Sequence, residues 1–248
     1  MMGIRNFKAL LLVASASIIL FSCEEKEESP QFSQSEVSLF ATVDFSFNNP
    51  DPNARTTDLV VNNFAVKDVK LSIDNVKLIL RGTNEGSKKP SIVQIRERDP
   101  QLLHLVKDGE PLMAPIGTVM AYDGIYGKLD FDLIQAKDVP EDDEMYGLSV
   151  IAKVEWSGIP AIFYLDLEDQ VSLMFNKGIE VDGAQDFILT MYVDRFFDGL
   201  TPDMVKNENG DGVIEVGPNN LDGNQALYEA VSANIASSLD FRNGSFKE

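Results

Sequence analysis

Beyond residue 36 the chain alternates apolar and polar positions. Val37, Leu39, Ala41, Val43, Phe45 and Phe47 share one parity. Successive side chains of a strand point to opposite faces, so this spacing predicts a strand with one buried side. Residues 66–80 repeat the pattern with a change of phase. Val69, Leu71 and Ile73 lie on one parity, Val76, Leu78 and Leu80 on the other. Asp74-Asn75 marks the change and predicts a bulge or a turn. Short strands are expected at 91–95 and 101–106. A further apolar stretch at 117–133 holds Tyr122, Ile125, Tyr126, Leu129, Phe131 and Leu133, with Gly124 and Gly127 between them. Leu148, Val150, Ala152, Val154 and Trp156 alternate again. Ser157-Gly158-Ile159-Pro160 supplies a turn, and 161–167 returns as the second strand of a hairpin. Strands are also expected at 171–175 and 187–196, the last ending in Phe196-Phe197 with one ring inward. Polar breakers fall at 48–53, 82–90 and 140–144.

Near the end the period changes. Leu227, Val231 and Ile235 recur every fourth residue. Asp222, with Gln225 three positions on, resembles a capping box and predicts a helix of about 15 residues. Thr201-Pro202-Asp203 reads as a second helix start. The expected fold class is all-β: an antiparallel β-sandwich, immunoglobulin-like or related, with a C-terminal α-helix. The 140–144 loop divides it into β-rich halves at 36–139 and 145–248.

The amino terminus follows another pattern. Arg5 and Lys8 precede an apolar run at 9–21, too short to span a bilayer comfortably and ending in Leu20-Phe21-Ser22-Cys23. This resembles the lipobox of bacterial lipoproteins, in which the cysteine is acylated and becomes the mature first residue. Residues 1–22 are then a signal peptide, and 23–35 an acidic tether beginning Glu24-Glu25-Lys26-Glu27-Glu28. Acidic residues just after the cysteine resemble the surface-export tag of Bacteroidota lipoproteins. The implied address is the outer membrane, lipid-anchored through Cys23, with the cell surface as one of two leaflets. An ordinary signal peptide with a chance cysteine is the bland alternative.

Composition narrows the function classes. The chain carries 40 Asp+Glu against 21 Lys+Arg, a net −19, with one Cys and one His. Removing Arg5 and Lys8 with the signal takes −19 to −21. A disulfide framework and a zinc cluster both need more Cys or His. An acidic surface repels phosphate, so nucleic-acid binding by bulk charge is excluded. No catalytic signature appears, and no enzyme activity is expected.

Four constellations could carry chemistry. Residues 207–215 partly match a calcium loop of the EF-hand or dockerin kind. Asn207, Asn209 and Asp211 take ligand positions one, three and five, Gly212 the sharp turn, and Val213 the backbone-carbonyl position. Pro218 stands where the bidentate acid belongs, so Glu215, Asp203 or Asp222 would have to replace it. Two overlapping β-turns, Asn209-Gly210 and Asp211-Gly212, explain the same residues without a metal. His104, inside Leu102-Leu103-His104-Leu105-Val106, is expected to be structural. Asp130 and Asp132 share one parity and read as a solvated sheet face; a carboxylate-based hydrolase would need a pair of acids facing each other, and nothing in the sequence points to one. Trp156, Phe163 and Tyr164 on the hairpin could form a sugar-stacking platform, but Trp156 alternates with core-like Ala152 and Val154.

Residues 37–135 as a whole are similar to a β-sandwich domain of unknown function found in Bacteroidota lipoproteins. The paired stretches at 69–80, Gln101-Leu-Leu-His-Leu-Val106 and Ala121-Tyr-Asp-Gly-Ile-Tyr126 carry the resemblance, although Ala121 stands where the family has Gly. The resemblance implies neither an activity nor a ligand. The expected function is a lipid-anchored binding or structural module with a glycan or protein partner, calcium-dependent if the 207–215 loop is loaded.

Overall fold

Alternation becomes strand pairing wherever one face can be buried, and the first run shows it. Val37, Leu39, Ala41 and Val43 are all buried on β1 (Gln34–Asp44). The computed structural model describes residues 33–44, 59–61, 63–81 and 92–243. The signal, Cys23 and most of the tether, Phe45 and Phe47, and the 82–90 loop lie outside the described residues.

The strands that follow are β2 (Leu59–Val61), β3 (Phe64–Leu80), β4 (Ile92–Gln94), β5 (Gln101–Lys107), β6 (Glu110–Pro111), β7 (Ala114–Tyr122) and β8 (Gly124–Leu133). After the 140–144 loop come β9 (Val150–Trp156), β10 (Ile159–Leu165), β11 (Asp169–Val181) and β12 (Gln185–Tyr192). The chain ends with a helical turn α1 (Val193–Phe196), β13 (Ile214–Val216), α2 (Gln225–Ser238) and β14 (Leu239–Asn243). Short 3₁₀ turns sit at Pro202–Met204 and Leu221–Gly223.

One sheet runs β14-β12-β1-β7; the other runs β11-β8-β3-β9-β10-β13, with β2, β4 and β5 also on β3. Their inner faces share one hydrophobic core. The fold is an all-β sandwich with one C-terminal helix. It is not purely antiparallel: β1 pairs parallel with β12, and β10 with β13. Strands from both sides of the 140–144 loop lie in the same sheets, β3 beside β9 and β8 beside β11. The described residues from 33 to 243 form one compact unit rather than separate halves.

β3 is the spine. Asn75 takes a left-handed conformation (φ 53), and the register with β8 slips between Asp74 and Lys77. This bulge lets Leu71 and Ile73, then Val76 and Leu78, all face the core. Ser157-Gly158 closes the β9–β10 hairpin with positive φ at both residues, the type I′ geometry that matches strand twist.

The 187–196 strand stops earlier than expected. After Tyr192 the chain turns into α1, which buries both rings of Phe196-Phe197. Phe197 stacks on Phe64 (4.3 Å), which stacks in turn on Trp156 (4.4 Å). This aromatic column outweighs the β propensity of the two phenylalanines. Leu227, Val231 and Ile235 are buried on α2 as their spacing requires. Asp222, however, is not its cap. Asn224 holds the N-cap position, and Gln225 exchanges hydrogen bonds with Asn220, accepting from its N–H (2.9 Å) and donating its own N–H to the Asn220 amide oxygen (3.2 Å). Asp222 is drawn elsewhere, as described below. Among the described residues no helix is long and apolar enough to cross a membrane.

Candidate functional site

The outward face of the larger sheet carries three of the residues singled out for chemistry: His104, Tyr164 and Glu215. Strand parity puts Asp68 and Lys70 of β3, His104 of β5, Ile151 and Lys153 of β9, Ile162 and Tyr164 of β10, and Glu215 of β13 on this face. Their inward neighbours Val69, Leu103, Ala152, Phe163 and Val216 fill the core.

The 207–215 loop hangs from the β13 edge of this sheet. Its base is stapled by Asn224, which is buried. The Asn224 side chain accepts from Lys206 N–H (2.8 Å) and donates to the carbonyls of Lys206 and Glu215 (2.9 Å each). Inside the loop, Asx turns set each ligand candidate. Asn207 Oδ1 accepts from Gly210 N–H (2.7 Å), Asn209 Oδ1 from Asp211 N–H (3.0 Å), and Asp211 Oδ1 from Val213 N–H (2.8 Å).

The Asn209 amide nitrogen donates to Asp211 Oδ2 (3.4 Å) and Glu215 Oε2 (3.3 Å). Asp222, the residue mistaken for a helix cap, bridges the loop: its carboxylate accepts from Asn209 N–H (3.0 Å) and Glu215 N–H (3.5 Å). The fold therefore brings Asn209, Asp211, Glu215 and Asp222 together. Asn207 and Val213 stay at the turn, engaged with Gly210 and Asp211. Asp203 is not among them; it is fully exposed, and a hydrogen bond from Thr201 holds its carboxyl below the usual range. Among the described residues no three acidic, His or Cys side chains converge closely enough to hold a metal ion. The Asn209 N–H group occupies the middle of the oxygen set.

His104 takes the outward face of β5, because Leu103 and Leu105 take the inward positions. Its Nε2 contacts Asp68 Oδ1, and Asp68 lies 3.9 Å from the Lys153 ammonium. Glu144, at the end of the 140–144 loop, contacts both Lys70 and Lys153. Those two ammoniums, Lys153 first, hold the Glu144 carboxyl below its usual range. Tyr164 is half-buried, and burial, with Glu215 and Glu144 nearby, raises its phenol pKa.

The other candidates are structural. Trp156 and Phe163 lie in the core. Asp130 is buried rather than solvated; it accepts from Ser172 Oγ (2.8 Å) and pairs with Lys128 (2.9 Å). Asp132 accepts from Asn75 Nδ2 (2.9 Å). Sequence reasoning missed the Glu144 cluster. Its only signal was the charged loop; Lys153 is near in the chain, but Lys70 lies on β3, 74 residues away.

No family model and no curated protein matches the chain. Among solved structures it is similar to MbnP from Methylosinus trichosporium, at 10% identity and a TM-score of 0.45, over 86% of this chain and 100% of that one. The sandwich assignment stands on the strand pairing alone.

Proposed function

We propose that this chain is a lipid-anchored outer-membrane protein of the Bacteroidota lipoprotein kind, acting as a binding or structural module and not as an enzyme. The observation that carries this reading is the chain's single cysteine, placed where an apolar leader ends and an acidic stretch begins. Two or more acyl chains on Cys23 anchor stably, since each buried CH₂ contributes about 0.8 kcal/mol. Residues 24–33 span at most about 35 Å when extended, so the sandwich stays close to the bilayer surface. The acidic tether favours the cell surface. A protein or glycan partner would meet the polar outer face of the larger sheet. The test is Cys23→Ser: the variant should leave the membrane fraction, and the parent's amino-terminal peptide should carry acyl mass. A parent that stays soluble, with an unmodified cysteine, sinks the anchor. Protease treatment of intact cells distinguishes the leaflets.

A second reading is favoured by one observation, the hydrogen-bonded gathering of the Asp211, Glu215 and Asp222 carboxylates around Asn209 at one loop. Here the loop binds calcium when the Asn209 amide turns its oxygen inward, giving a hard cation an all-oxygen set. Millimolar calcium should then raise Tm relative to chelator in the parent, and Asp222→Asn should abolish the difference. Identical melting with calcium and with chelator removes this reading.

A further inference from the structure

Residues 134–149 leave the larger sheet and rejoin it at one point. β8 ends with Leu133 opposite Ile73, and β9 begins with Val150 opposite Leu71. Ser72, between them, bonds both ends of the excursion: its carbonyl accepts from Ile134 N–H (3.2 Å), and its N–H donates to Ser149 O (2.8 Å). β8 and β9 therefore lie end to end along one side of β3, and the segment between them adds no rung to that ladder.

The excursion has its own neck and its own small core. Gly147 N–H donates to Ala136 O (2.8 Å), and Ala136 N–H to Leu148 O (2.9 Å), closing a compact loop. Met145 is fully buried, but with Ala136 and Ile151 in a cluster separate from the sandwich core, flanked by Leu148, Ile162 and Tyr164. Beside Met145, Glu144 is seated between Lys70 and Lys153. The other charged groups facing this contact are Asp68 of β3, touching His104 of β5, and Asp143 of the loop itself.

We infer that residues 135–148 form a strap that opens and closes as a unit on a sandwich that stays folded, with Glu144 as its latch and Ile151, Ile162 and Tyr164 as the apolar patch it uncovers. Segments open locally when opening costs few buried apolar contacts and breaks no sheet ladder; here Met145 and Ala136 are the buried apolar residues of the strap, no ladder bond to β3 is broken, and the Lys137–Glu168 pair (3.1 Å) and the Gln135 Nε2 bond to Asp166 O (3.0 Å) are the other ties to release. A carboxylate shared by two partly exposed ammoniums is weakened by salt, so ionic strength sets how often the strap is open.

Hydrogen exchange on the native mature chain, read by mass spectrometry, tests this. Amides of Met145, Gly147 and Leu148 should exchange roughly tenfold or more faster than those of Ile151 and Leu71. Glu144→Gln, or a rise to 1 M salt, should speed the strap amides about three- to tenfold and leave the β9 amides unchanged. Strap amides that exchange only at the rate of β9 overturn the separate opening, and a Glu144→Gln strap with unaltered exchange overturns the latch. A chain with two glycines in place of residues 137–146 should keep the parent's β-sheet circular dichroism; failure of that chain to fold makes the strap integral to the sandwich and also overturns the inference.

Discussion

Tyr126 and Tyr228 hold their phenol protons to about 12. Burial is the main cause in both; Asp123 adds to it at Tyr126, and Asp166, which accepts from the hydroxyl, adds to it at Tyr228. The unfolded phenols ionise near their ordinary value of about 10. A raised native pKa contributes stability that is complete below about 10 and is lost as pH climbs towards 12. Denaturant unfolding should therefore give a lower free energy at pH 11.5 than at pH 9, with a smaller drop in Tyr126→Phe. An equal drop in parent and variant would remove Tyr126 from the account. Glu144 works in the opposite direction. Its carboxyl lies below the ordinary value, so its contribution is present above about 4.5 and fades as pH falls through the native value. Neither tyrosine's raised pKa is legible in the sequence, because burial and neighbouring carboxylates are products of the fold.

At the scale of elements, the strands were legible wherever one face met the core and the other did not. β1, β3 and the β9–β10 hairpin follow the parity of their apolar residues, including the phase change at Asn75. Elements with weaker alternation escaped. β11 extends from Asp169 to Val181, well beyond the 171–175 expected, because its middle bulges away from β8 between Met174 and Ile179. Gly178 sits in that bulge at φ +75, where an added Cβ would lie 2.2 Å from the Ile125 side chain. Gly178→Ala should cost about 1–3 kcal/mol, from unfavourable backbone conformation and crowding together. A loss under half a kcal/mol in denaturant midpoints would mean that the bulge relaxes freely. β14 was missed because Leu239-Asp-Phe-Arg-Asn is too short to alternate convincingly and follows a helix directly. The 207–215 loop was legible as a ligand pattern, yet Asp222 entered it only through the fold, and the helix cap passed to Asn224.

At the scale of the whole molecule, the two halves suggested by the 140–144 loop are threaded through each other. β1 pairs with β12, β3 with β9, and β8 with β11. Residues 33–139 and 145–243, expressed as separate fragments, should each lack cooperative melting, since each leaves its central strands with bare edges and exposed apolar faces. The lone Trp156, stacked on Phe64 in the core, reports on this directly: in the intact chain its emission and the far-ultraviolet signal should change together in denaturant. A fragment that melts cooperatively alone would sink the interlocked description.

Local periodicity was enough for the strand-rich class, the inward parities and the amphipathic face of α2, because the two-residue and 3.6-residue repeats are written into the order of side chains. The apolar run at 9–21, Cys23 and the acidic residues after it are likewise properties of linear order. Tertiary structure alone decided which strands became neighbours, since parallel pairing of β1 with β12 joins segments far apart in sequence. It also turned Phe196-Phe197 from strand end to aromatic column and carried Asp222 from helix start to loop brace. The pairing of β3 with β9 set Glu144 between Lys70 and Lys153, and no repeat along the chain encodes a contact between a loop and two strands.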